Sequence, residues 1–218
     1  MMRDRDKERI LQKTREYIRN SFEGENSGHD WWHIHRVCKM ALHIARIEGG
    51  NLFIIEMAAL LHDLDDWKFN DSEELIKTRT FLMDTDIEHN EIETIEQIIR
   101  EVSFKGAGVK NEVTTLEARI VQDADRLDAM GALGIARTFA YGGAKGRVIY
   151  DPYIKPNLHK DFDSYKKDSG PTINHFYEKL LLLKDRLNTT TAKQIGESRH
   201  RFMEDFIARF YTEWDAKN

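Results

Sequence analysis

The first 151 residues of this 218-residue chain contain no proline; Pro152, Pro156 and Pro171 are the only three. Proline breaks helices because its ring fixes φ and removes an amide donor. So long a stretch without one, with apolar residues at helical spacing, predicts a mostly helical fold. Ile10, Leu11, Tyr17 and Ile18 mark an opening amphipathic helix. Asp30 is placed to cap a second, "WWHIHRVCKMALHIARIE", which Gly49-Gly50 ends. Asn51 can cap a third, "LFIIEMAALLHD". That segment is apolar almost all round, so it belongs at the centre of the core. Ile92, Ile95, Ile98, Ile99 and Val102 form a stripe on another helix, and "LEARIVQDADRLDAMGALGIARTFA" reads as one more. Two late stripes follow, Ile173-Phe176-Tyr177-Leu180 and Met203-Phe206-Ile207-Phe210-Trp214. No sustained period-two pattern, internal repeat or linker interrupts them. The expectation is an all-α, single domain over residues 1–218. Residues 141–171 differ: they hold every proline together with Gly142, Gly143 and Gly146, and read as a lid or a mobile loop.

Composition narrows the classes. A 40% hydrophobic and 33% charged chain suits a soluble globular protein. A net charge of −5 makes nucleic acid an unexpected partner. Cys38 is the only cysteine, so no intrachain disulfide can form, which fits a reducing compartment. No apolar run approaches the ~20 residues of a membrane span, and the charged start "MMRDRDKERILQKTREYI" lacks a signal-peptide core. A cytoplasmic protein without a membrane partner is expected; a homodimer is allowed by this reading.

The segment "LLHDLDDWK" raises a problem of charge. Asp63, Asp65 and Asp66 crowd the end of the most apolar helix, where the helix dipole already concentrates negative charge. Buried charge needs compensation. A divalent cation supplies it, and His62 and Asp63 are both competent ligands. A salt-bridge cluster with Lys68 is the structural alternative. His33 is the best further ligand, since it shares a helix face with Val37, Met40, Ala41 and Ile44 and so points inward. His35 faces elsewhere, His29 precedes the helix, and His43 has no acidic companions. A last carboxylate should come from "QDADRLDAMG", where Asp125 and Asp128 lie on one side at i, i+3. Spacing alone does not choose between them.

Taken together, "HDWWHIHRV", "LLHDLDDWK" and "DADRLDAMG" resemble the His…His-Asp…Asp signature of the HD-domain phosphohydrolases. The tail "NHFYEKLLLLKDRLNTTTAKQIGESRHRFMEDFIARFYTEW" is similar to the small stand-alone bacterial branch of YpgQ-like and YedJ-like proteins. The resemblance runs from about Gly28 to Trp214 and implies His33, His62, Asp63 and Asp125 as metal ligands. It implies that Asp66 assists water attack, at a position where related nucleotidases often carry the longer Glu. His89 is the only histidine between Asp63 and Asp125, so one principal metal is expected.

Two histidines and two carboxylates form a mixed N/O site that favours Mn²⁺ and tolerates Mg²⁺, Fe²⁺, Co²⁺ or Ni²⁺. Arg36, Lys68 and Arg126 adjoin ligand positions, and Lys105 in "SFKG" is a fourth cation for a phosphate chain. Trp31 and Trp32 suit helix-entry packing, the commoner role, or stacking on a base. The implied enzyme is a metal-dependent hydrolase of small nucleotides, cutting a (deoxy)nucleoside triphosphate to the monophosphate and pyrophosphate. The alternatives are a nucleoside 5′-monophosphate phosphatase or phosphodiesterase, a two-metal HD oxygenase, and a nucleotide- or metal-binding regulator without turnover.

Overall fold

A computed structural model describes residues 3–24, 30–65, 75–102, 113–157 and 170–217. Every regular element among them is helical. The framework divides into two compact units, the first ending at Ala124 and the second beginning at Asp125.

The first unit holds α1 (Asp4–Ser21), α2 (Trp31–Glu48), α3 (Leu52–Leu61), α4 (Ile76–Met83), α5 (His89–Val102) and the start of α6 (Leu116–Asp128). Within it α3 packs against α1, α2 and α5, and α4 packs against α5. The caps read from sequence are in place. The Asp30 side chain accepts a hydrogen bond from His33 N at 2.8 Å, and Asn51 Oδ1 accepts from Phe53 N and Ile54 N. Each cap satisfies amides that the helix itself leaves without partners. All residues from Phe53 to Leu61 are buried, as expected of a helix apolar on every side. The α5 stripe is likewise buried from Ile92 to Val102. The helix α3 stops at Leu61, two residues before the expected end, and His62 and Asp63 lie in the turn that follows.

One buried polar group links three helices of this unit. Glu56 on α3 accepts from Arg15 Nη2 of α1 at 2.5 Å, and Cys38 Sγ of α2 lies 3.8 Å from Glu56 Oε1. Burial, reinforced by the Glu56 carboxylate, pushes the Cys38 thiol up to about 12. The folded state therefore holds this proton more tightly than the unfolded chain, so the stabilisation is complete below the unfolded thiol pKa and is lost as pH rises above it. Stability should fall between the ordinary thiol value of 9.0 and about 12. In urea titrations across that range, Cys38→Ala should show a shallower alkaline decline than the parent. Equal slopes would remove Cys38 as its source.

The second unit contains the end of α6, α7 (Gly131–Ala144), α8 (Asn174–Glu178), two 3₁₀ turns at Leu180–Leu182 and Lys184–Arg186, and α9 (Thr190–Trp214). The helix α9 packs on α7. Phe176 and Phe206 stack with ring centres 5.8 Å apart, and Phe139 lies against both. Ile173, Leu180, Met203 and Ile207 are buried as their stripes predict, whereas Trp214 is half exposed.

The segment read as one helix from Leu116 is broken. The helix α6 ends at Asp128, Met130 is extended, and Gly131 takes φ +68° to start α7. That left-handed conformation favours glycine, which has no Cβ to clash. Arg199 Nη1 donates to the Leu127 carbonyl and so satisfies one acceptor at the end of α6. Of the segment 141–171, residues 141–144 form the last turn of α7. Within it, Val148 O and Ile149 O accept from Thr172 N at 2.9 Å and Ile173 N at 3.0 Å, just past its C-terminal end.

Candidate metal centre

Three ligand-type side chains converge in the first unit. His33 sits in the first turn of α2, three residues after its cap, and is 1% exposed. His62 and Asp63 follow the last residue of α3, and each is 6% exposed. One ligand atom from each residue lies within 4.8 Å of the others, an arrangement that could hold a metal ion. His33 Nε2 is 3.3 Å from Asp63 Oδ2, and His62 Nε2 is 3.4 Å from Asp63 Oδ1. Two ligands, each about 2.1 Å from an ion and separated by about 90–110°, lie roughly 3.0–3.4 Å apart. The observed separations therefore suit a shared ion.

The state of His62 fits as well. Its Nδ1 is 2.8 Å from the Ala59 carbonyl. A carbonyl only accepts, so Nδ1 carries the proton and donates, leaving a lone pair on Nε2. A backbone acceptor behind a metal-ligating histidine orients the ring and raises its basicity. The two imidazoles face each other at 5.4 Å between centres, with their planes 66° apart.

The other acids next to His62 do not share one fate. Asp65 is buried, and its carboxylate accepts from Lys77 N at 3.1 Å and Thr78 N at 2.8 Å, in the first turn of α4. Its charge is offset by amides and a helix dipole. Asp66 and Lys68 lie outside the described residues, as do Lys105 and His29. Arg36 is half-buried on α2. Trp31 is half-buried, but Trp32 is 58% exposed rather than packed in the core; its ring meets the edge of His35, 5.8 Å away.

Asp125 and Arg126 belong to the second unit. Asp125 is half-buried near the end of α6. Arg126 is buried, and its Nη1 donates to the Arg186 carbonyl. Asp128 is held by Arg137 Nη1 at 2.8 Å. Among the described residues, sequence reasoning missed four buried acids: Glu56, Glu96, Asp123 and Glu178. Glu96 pairs with Arg79 and Arg100 at 3.5 and 3.2 Å. Its partner at i+4, Arg100, was a visible signal. Asp65 was singled out as a charge needing compensation, but its capping role was not legible, because a cap twelve residues away leaves no local pattern.

A model of the HD domain matches residues 31–130. The chain is 38% identical to the uncharacterized protein YpgQ of Bacillus subtilis over 199 residues, covering 90% of this chain and 89% of that protein. Among solved structures, it resembles an HD-superfamily hydrolase from Bacillus thuringiensis at 47% identity and TM-score 0.75, over 97% of this chain and 100% of that one. Bacillus subtilis YpgQ in complex with ADP matches at 36% identity and TM-score 0.74, over 93% and 97% of the two chains.

Proposed function

We propose, because the chain belongs to the HD-domain family of metal-dependent phosphohydrolases, that it cleaves (deoxy)nucleoside triphosphates to monophosphate and pyrophosphate. The observation that carries the reading is the convergence of His33, His62 and Asp63, with the His62 proton fixed on Nδ1. Asp125 is the fourth ligand in this reading. Asp128, the other acid of the pair, already has Arg137 as its cation. The N/O donor set suits Mn²⁺ and tolerates other first-row divalent ions. When bound, such an ion supplies Lewis-acid polarisation of a phosphoryl oxygen and a water of lowered pKa.

The chain's own residues supply the rest. His33, His62 and Asp63 keep the site buried. Asp66, three residues after Asp63, orients the attacking water or takes its proton. A nucleotide substrate is supported by the ADP held in the YpgQ structure. Arg36, Lys68, Lys105 and Arg126 are the cations proposed to line the phosphate chain. Four cations exceed what a monophosphate requires, and this favours a triphosphate held with its α-phosphorus at the ion.

The test is a hydrolysis screen of NTPs, dNTPs and NMPs with Mn²⁺, read for both pyrophosphate and phosphate. Pyrophosphate should be the first product from a dNTP, and monophosphates should be poor substrates. Charge reversal at Lys68 should damage triphosphate turnover more than hydrolysis of a small artificial phosphate ester. Inorganic phosphate alone, with a monophosphate as the best substrate, would make the protein a monophosphatase. Ligand binding without turnover of any of them would make it a regulator.

A further inference from the structure

We propose that Asp65 is a positioning residue for the metal ligands: it ties the turn that carries His62 and Asp63 to the N-terminus of α4. The inference rests on the reading that His33, His62 and Asp63 hold a divalent ion.

His62 and Asp63 stand beyond the last residue of α3, so regular helical hydrogen bonds do not carry the whole turn. Its upstream side is fixed by His62 Nδ1 on Ala59 O and by Leu64 N on Leu61 O at 3.0 Å. Its downstream end is Asp65, whose two carboxylate oxygens each accept one amide, Lys77 N on Oδ1 and Thr78 N on Oδ2. These amides belong to the first turn of α4, where donors have no partner within the helix. The residue in the ordinary capping position, Leu75, makes no side-chain cap. Asp65 performs that function from twelve residues upstream in sequence. A buried carboxylate gripped at both oxygens leaves its own backbone little freedom, and Asp63 is two residues away. Order in α4 and ion binding at Asp63 are therefore linked, and such linkage is reciprocal.

An ordinary capping role and a positioning role make different predictions. Asp65→Ala should lower the melting temperature and weaken Mn²⁺ binding by about 10–100-fold, the usual cost of losing support behind a metal ligand. Adding Leu75→Asp gives α4 a local cap. The double variant should regain the melting temperature but not the Mn²⁺ affinity. In the parent protein, Mn²⁺ should slow amide exchange in the peptide spanning α4, a measurement that needs no variant to fold. Parental Mn²⁺ affinity in Asp65→Ala, rescue of both properties by Leu75→Asp, or α4 exchange indifferent to Mn²⁺ would each overturn the proposal. A parent that binds no divalent ion fails differently: it overturns the metal reading itself, and this inference with it.

Discussion

His62→Ala is expected to lose the bound ion and the hydrolytic activity together. The substitution removes a neutral imidazole whose lone pair is aimed by the Ala59 carbonyl. It leaves His33 and Asp63 buried, with a carboxylate that has lost one of its two facing rings. The remnant, His33 and Asp63 with Asp125 as the proposed further ligand, keeps one imidazole in place of two and holds first-row ions more weakly. The measurement is metal content after gel filtration, alongside dNTP turnover and a thermal melt to show that the helices persist. Full metal content in the variant would remove His62 from the ligand set. Turnover without metal in the parent would undo the metal-dependent scheme altogether.

Asp66→Asn is expected to separate chemistry from metal binding. The amide keeps the shape of the carboxylate but cannot accept a proton from water. General acid–base catalysis is worth about 10²–10⁴ in rate, and kcat should fall by that factor with metal content unchanged. Loss of the ion would instead make Asp66 a ligand. Unchanged turnover would reduce it to an electrostatic neighbour. Asp65 has its carboxylate occupied by α4, so it cannot serve as a substitute base in the variant.

Local physics made much of this legible in advance. Asp30 and Asn51 were readable as caps because a cap acts within three residues of itself. The burial of His33 followed from its helical spacing to Val37, Ala41 and Ile44. The break after Asp128 was not read: Ala129 and Met130 are ordinary helix formers, and Gly131 at φ +68° and the pairing of Arg199 with Leu127 O mark the end in three dimensions. Trp32 was read as packing because aromatics usually do, yet its place on α2 turns it outward. The three acids after His62 looked alike in sequence. Tertiary structure sends Asp63 to the histidines and Asp65 to α4, a division that depends on contacts twelve or more residues away.

The Arg15–Glu56 pair has a consequence for the direction of His62. A helix that is buried and apolar on every side, as α3 is, receives no instruction from hydrophobicity about its rotation around its own axis. Glu56 is the single polar residue between Leu52 and Leu61, and its 2.5 Å contact with Arg15 favours one angular setting over the rest. Buried polar pairs are best attested in this role of fixing register. His62 follows six residues later and still has helical dihedrals, which places it about 240° further round the same axis. An ion pair with no catalytic chemistry of its own thus acts as an index mark, setting the compass bearing along which the imidazole leaves the helix.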